Sequence, residues 1–289
     1  MARDTPTLRD AEEAYEAGDI ETALAICDGL IGDDETKAPV EVLYLAGECL
    51  LELQEAEEAL HLFDLALVQD ADNPLLIHCR GLCQFELGAF DRAQALFERA
   101  SGAAPELAEP VFYLGLVAER TGDLDGANER FAAAARKDPE NFVVPAEWSE
   151  DDIKAAYDVI IEETPDPLGT WFAGLTVEVE DLPPDASLSR GGSTISPLVH
   201  CLFEGEPGEG PDGPEPASWL VTEPSRVVLF RRNLGKSAHD EYELQREVFE
   251  AVLWELMEFL GLEDQHLEAL GVMEADLEAD DDDLHPSRV

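Results

Sequence analysis

Two kinds of patterning divide the chain. Up to about residue 140, apolar residues recur three and four apart in blocks of about a dozen, the spacing of one face of a helix, and short turns separate the blocks. Gly18-Asp19, Gly88-Ala89 and Gly122-Asp123 supply turns of the kind that let one helix end and the next begin. The blocks also repeat. Gly47, Gly81 and Gly115 stand 34 residues apart, and Ala59, Ala93 and Ala127 keep the same step. So do Phe63, Phe97 and Phe131, then Ala66, Ala100 and Ala134, while Pro105 and Pro139 close the last two units. A weaker first unit runs through Ala11, Ala23, Cys27 and Leu30, with a two-residue insertion near Gly32, Asp33 and Asp34.

Small residues in three columns and an aromatic in a fourth, at this period, resemble the tetratricopeptide repeat. Four repeats over residues 5 to 140 predict an α solenoid, with residues 1–140 as its domain. Such a solenoid presents a concave surface lined by the first helix of each repeat. In this numbering that surface contains Tyr44, Glu48 and Leu51, then His78, Leu82 and Phe85, then Phe112, Leu116 and Glu119. Aromatic, aliphatic and acidic side chains dominate it. Tetratricopeptide domains that clamp a C-terminal carboxylate use Lys, Arg and Asn here. The expected partner is therefore a protein or peptide segment that is apolar or basic, or the protein's own second half. Cys79 and Cys83, four apart on one helical face, read as small core residues rather than half a metal site.

After Pro139 the pattern changes. Ser149 followed by Asp152 resembles an N-cap ahead of Ile153, Ala156, Val159 and Ile160, and Pro165 and Pro167 end that helix. Alternating apolar and acidic residues over 175–180 have the period of a half-buried strand, and further strands are expected around 198–203 and 227–230. Residues 204–217, almost entirely Gly, Pro and acids, predict a mobile loop. A long helix is expected over 240–260, with Leu244, Val248, Ala251, Val252, Leu256 and Phe259 buried and Gly261 ending it. The arrangement is a small α+β domain over 141–272.

That order of elements, together with Trp254, Glu255, Glu258, Gly261 and Asp264, resembles the minimal zincin-like family of zinc peptidases, whose last helix carries His-Glu-x-x-His-x-x-Gly-x-x-Asp. The resemblance spans 149–272, with weaker matches at 177–183, 203–205 and 227–231. In such a motif two His one turn apart hold zinc, the Glu after the first polarises a metal-bound water, and a third ligand follows the Gly. Here the first His is replaced by Trp254 and the second by Glu258, while Glu255 stands at the water-activating position and Asp264 at the third ligand. Oxygen donors alone suit Mg²⁺ or Ca²⁺ better than Zn²⁺. His200, His239 and His266 are candidate replacement ligands. The alternative reading has Glu255 and Glu258 as solvated helix residues, Trp254 filling the space of the lost metal, and no cofactor.

Charge narrows the partners. The chain has 289 residues with 66 Asp and Glu against 18 Lys and Arg, a net charge of −48. Nucleic acid and anionic membrane surfaces both draw basic proteins, so neither is an expected partner. No signal peptide or run of about 18 apolar residues is readable, so a soluble cytoplasmic protein is expected. Five cysteines without a Cys-x-x-Cys pair read as reduced and mostly buried. Seven acids among residues 274–283 predict an extended tail over 273–289. Only 4 of the 18 basic residues are Lys, and such a surface suits a saline environment as well as a function.

Two functions follow. One is a non-enzymatic adaptor whose solenoid captures a partner and whose zincin-like domain has lost its metal chemistry. The other is a peptidase whose repeats recruit substrate and whose altered, carboxylate-rich site still activates water through Glu255.

Overall fold

The computed structural model describes residues 6–190, 193–208, 210, 218–220, 222 and 224–272. The expected tail over 273–289 and most of the loop after residue 208 lie outside them. Two compact units are formed, one from residues up to Phe142 together with Leu188–Pro197, the other from Val143–Ser187 and the chain after Leu198. No described helix is long and apolar enough to cross a membrane.

The first unit is built from four helix pairs: α1 (Leu8–Glu16) with α2 (Ile20–Ile31), α3 (Val40–Glu52) with α4 (Ala56–Gln69), α5 (Pro74–Glu86) with α6 (Phe90–Ala103), and α7 (Glu109–Arg120) with α8 (Leu124–Lys137). The reason for the repeating columns is steric. A Cβ placed on Gly47 would lie 2.6 Å from the ring of Phe63, and Gly81 and Gly115 stand in the same relation to Phe97 and Phe131, again at 2.6 Å. Each glycine is thus the floor on which an aromatic sixteen residues later lies flat. In the first pair the same two columns hold smaller parts, Ala11 and Cys27, and both are fully buried. Ala59, Ala93 and Ala127, and Ala66, Ala100 and Ala134, are fully buried too, so the paired helices approach closely.

The turns inside the pairs need a left-handed residue. Gly18, Gly88 and Gly122 have φ of 78°, 69° and 79°, and Gln54, at the equivalent place in the second pair, is held at 62°. The two-residue insertion appears as a short 3-10 turn at Glu35–Lys37. A segment the repeat pattern does not foresee joins this unit. Ser189–Arg190 pairs antiparallel with Ser193–Thr194, and Ile195 N donates to Leu188 O at 3.0 Å. Arg120 fastens it by donating to the carbonyl of Pro197 at 2.7 Å while its guanidinium lies 5.1 Å over the ring of Phe90. Ser196 hydrogen-bonds the Glu86 carboxyl, and burial pushes that carboxyl up to about 7 against the pull of Ser196 and Arg120.

The second unit contains α9 (Glu150–Glu163), α10 (Leu168–Ala173), α11 (Arg231–Ser237), α12 (Glu241–Leu260) and α13 (Asp264–Ala269) around strands β1 (Val177–Glu180), β2 (Cys201–Glu204) and β3 (Arg226–Phe230). Strand β3 is central, parallel to β1 and antiparallel to β2. The expected caps are present. Ser149 and Asp152 form a reciprocal capping box on α9, Asp240 accepts from Tyr242 N and Glu243 N at 2.9 Å, and Gly261 ends α12 in the left-handed conformation. Helices α9 and α12 bury Ile153, Tyr157, Ile160, Val248, Val252, Leu256 and Phe259 against Phe203, Val227 and Leu229 of the sheet. Arg226 clamps the three strands at one end: it meets both carboxylate oxygens of Glu204 at 2.8 Å and also bonds Glu178. The beginning of the predicted mobile loop is anchored, since Glu204 belongs to β2 and Gly208 N donates to Phe259 O at 2.7 Å.

Candidate functional site

In the first unit, helices α1, α3 and α5 line a groove of about 560 Å³. Tyr15, Tyr44, Val40, Leu45, Leu75 and Leu76 supply its apolar surface. Glu12, Glu16, Glu41, Glu48 and Asp70 supply five carboxylates, and no Lys, Arg or His lines it. Glu48 is bonded by Tyr44 and Cys79. Burial pushes its carboxyl above the usual range, and the Glu109 carboxylate adds to this against those two hydrogen bonds. Five acids sharing one groove repel one another, so a cation entering it relieves that repulsion as well as gaining attraction.

The predicted concave residues divide. Tyr44 and Glu48 line the groove, and both are half-buried. Phe112 is half-buried at the other end of the repeats, packed on Phe131 at 5.0 Å and Phe142 at 5.2 Å between ring centres. His78, Leu82, Phe85, Leu116 and Glu119 are buried. Phe85 meets Phe90 and Tyr113 edge to face, and His78 lies between Phe97 and Tyr113 with Nε2 3.1 Å from Glu109. These side chains hold repeat to repeat. Glu12, Tyr15 and Glu16 were missed, although a signal existed: the 36-residue step across the insertion places Glu12 in the column of Glu48 and Tyr15 in that of Leu51.

All five cysteines are buried and free. Burial raises the thiols of the four in the first unit, Cys27 up to about 11 and Cys49 up to about 12, with Cys79 and Cys83 higher still. They are core residues.

In the second unit, α12 carries the remodelled motif, and two expectations about it are corrected. Trp254 does not fill the space of a lost metal: it is 67% exposed. Glu255 is not a solvated helix residue, being only 6% exposed, and its Oε1 accepts from Phe203 N at 2.8 Å. The reason lies in the sheet. β2 is an edge strand, and its amide at Phe203 points away from β3, where an unpaired buried N–H would be costly. The carboxylate of Glu255 satisfies it. Glu258 is exposed, and the side chain of Asp264 lies outside those described.

The candidate replacement histidines are engaged elsewhere. His266 Nδ1 accepts from Glu263 N at 2.9 Å, and its ring meets Trp219 edge to face. His239 lies 3.6 Å from Glu243, and His200 sits between Ser237 and Glu247. Among the described residues no three His, Cys, Asp or Glu converge as a metal site would require. Of the positions that hold zinc in that motif, Trp254 has no ligating atom, Glu258 offers only oxygen, and neither carries the imidazole a zinc site of this class uses, while Glu255, at the water-activating position, is bonded to a backbone amide.

Comparison with known proteins agrees with this division. Residues 8–74 and 80–142 match the tetratricopeptide repeat family, and residues 172–273 match the zincin-like metallopeptidase family, starting later than the 149 expected from the sequence. No curated protein matches the chain. Similar solved structures include a crystal structure of MamA, 20% identical over 45% of this chain and 74% of that one, with a TM-score of 0.39. MamA from Desulfovibrio magneticus is 17% identical over 46% and 73%, with a TM-score of 0.41. YrrB, described as a tetratricopeptide protein with an unusual peptide-binding site, is 26% identical over 46% and 67%, with a TM-score of 0.38. The chain thus carries tetratricopeptide repeats between residues 8 and 142 and a zincin-like metallopeptidase domain over residues 172–273.

Proposed function

We propose that the protein is an interaction adaptor whose repeats capture a basic, partly apolar segment of a partner protein, joined to a zincin-like domain that no longer performs zinc chemistry. The groove carries this reading: five carboxylates and two tyrosines line it without a cation. Lys or Arg of an extended segment would neutralise Glu12, Glu16 and Glu41 and pass over the rings of Tyr15 and Tyr44, where cation–π attraction adds about 0.5–2 kcal/mol per contact. Leu75 and Leu76 would take its apolar side chains. An acidic segment would be repelled.

For the second domain the supporting observation is Glu255. A carboxylate that accepts the Phe203 amide holds the edge of the sheet, and Trp254 and Glu258 on the same helix supply no imidazole. Two measurements test the whole reading. A fluorescent peptide alternating Lys and Leu should bind the full chain, weaken as salt rises, and weaken again with Glu16→Lys or Glu41→Lys. Equal binding of the matching Glu and Leu peptide would refute the charge argument. Elemental analysis of the purified protein after dialysis against zinc, magnesium and calcium should show no stoichiometric ion, and a retained ion that is lost in Glu258→Gln would restore the metal-dependent peptidase.

A further inference from the structure

Apart from the motif on α12, three polar side chains from separate elements of the second unit meet. His200 immediately precedes β2, Ser237 is the last residue of α11, and Glu247 lies on α12. Ser237 Oγ is 3.3 Å from His200 Nε2, and Glu247 Oε2 is 3.5 Å from His200 Nδ1. The contacts fall on the two different ring nitrogens. General-base activation of a serine uses the same order, in which one nitrogen takes the hydroxyl proton while the other, carrying its own hydrogen, faces a carboxylate. Such contacts are commonly looser without substrate than during reaction.

The surroundings fix the geometry. His200 O accepts from Phe230 N at 2.9 Å, and Asn233 Nδ2 holds the preceding carbonyl, that of Val199, at 2.8 Å. Arg246 lies 3.5 Å from the other oxygen of Glu247. Helix α11 closes on Ser237, where Ala238 N donates to Leu234 O at 2.9 Å. The site is reachable from solvent, since the His200 side chain is 23% exposed and Ser237 is half-buried. Burial, and then the positive charge of Lys236, push the His200 imidazole down to about 4, which leaves it neutral at neutral pH.

We infer that Ser237, His200 and Glu247 form an acyl-transfer site for small esters, with Ser237 as nucleophile, His200 as general base and Glu247 as the residue that orients it. In the first step the Ser237 oxygen bonds to the acyl carbon, its proton passes to His200 Nε2, and the alcohol leaves with that proton. Water then attacks the acyl-enzyme, His200 takes a proton from the water and returns one to Ser237, and the carboxylic acid departs. The chemistry uses no metal and is independent of the groove between α1, α3 and α5.

The test is covalent labelling of the full chain with a fluorophosphonate, in which a Ser237 oxygen to phosphorus bond forms, fluoride leaves and the displaced proton passes to His200. Intact-mass and peptide mapping should show one adduct, on Ser237. Its rate should fall by about 100-fold or more in His200→Gln, by about 10-fold in Glu247→Gln, and to zero in Ser237→Ala. Hydrolysis of p-nitrophenyl acetate should follow the same order. Should His200→Gln misfold by circular dichroism, Ser237→Ala and Glu247→Gln carry the comparison, since each preserves nearly the whole side-chain volume. No adduct under conditions that label a control serine hydrolase, an adduct elsewhere in the chain, or Ser237 labelling at an unchanged rate in both partner variants would each overturn the assignment.

Discussion

The two units are held together by opposite strategies. In the first, one contact is made three times: Gly47 beneath Phe63, Gly81 beneath Phe97, Gly115 beneath Phe131. The partners are always sixteen residues apart, and each repeat leans chiefly on its neighbours. In the second, each decisive contact is made once and between distant segments. Phe203 reaches Glu255 across 52 residues, Trp148 reaches the carbonyl of Ala238 across 90, and Arg226 ties Glu178 and Glu204 into one cluster. Redundancy makes the first unit legible. The second depends on single keystones.

The sharpest way to break this contrast is to overfill a repeat. Gly81→Ala would set a methyl group 2.6 Å from Phe97, and either the ring or the helix must shift. The expected loss in the first unit is about 2–4 kcal/mol, measured by urea unfolding followed through tyrosine absorbance and helical circular dichroism. All four tryptophans lie in the second unit, so their fluorescence should register this change little.

The next effect belongs to the keystone. Glu255→Ala leaves the Phe203 amide without its acceptor and is expected to cost about 2 kcal/mol, whereas Glu255→Gln, which keeps a carbonyl oxygen, should cost less than half as much. Tryptophan fluorescence during urea unfolding distinguishes them. Equal losses would mean that charge, not the hydrogen bond, is what the second unit needs from this residue.

A smaller effect, opposite in sign in the two units, concerns pH. The Glu86 carboxyl is raised to about 7, so the folded first unit holds a proton that the unfolded chain gives up near pH 4.5. Its contribution is full below pH 4.5 and is lost as pH rises through 7. His200 is depressed to about 4, so its contribution is present above about 6.5 and is lost as pH falls through 4. Each should amount to about 1–2 kcal/mol, discounted because both side chains are partly exposed. Glu86→Gln should flatten the slope read by tyrosine signals between pH 4.5 and 7, and His200→Gln the slope read by tryptophan between pH 4 and 6.5. The smallest effect sharpens the repeat itself: Gln54→Gly relieves a left-handed residue at φ 62° and should stabilise the first unit by about 0.5–1 kcal/mol in the same unfolding assay.

Much of the fold was legible because it is written in local spacing. The four columns of the repeat, the Ser149 cap, the strand at 177–180 and the long helix ending at Gly261 each depend on residues within a few turns of one another. The short helices α10, α11 and α13 were not foreseen, since six or seven residues hold too little periodicity to distinguish them from loops. Site residues divided the same way. Register put Tyr44 and Glu48 on the helix face that lines the groove but said nothing of the aromatic packing that buries His78 and Phe85.

What the sequence determined alone was the repeat, its period and the loss of imidazole from the motif helix, because composition and spacing along one chain carry that information. Tertiary structure decided the rest. It turned Glu255 inward to the edge of β2 and Trp254 outward to solvent, and it brought His200 between Ser237 and Glu247. Which face of a helix is covered, and which distant side chains share a site, depends on how separate segments pack, and spacing along the chain does not encode that packing.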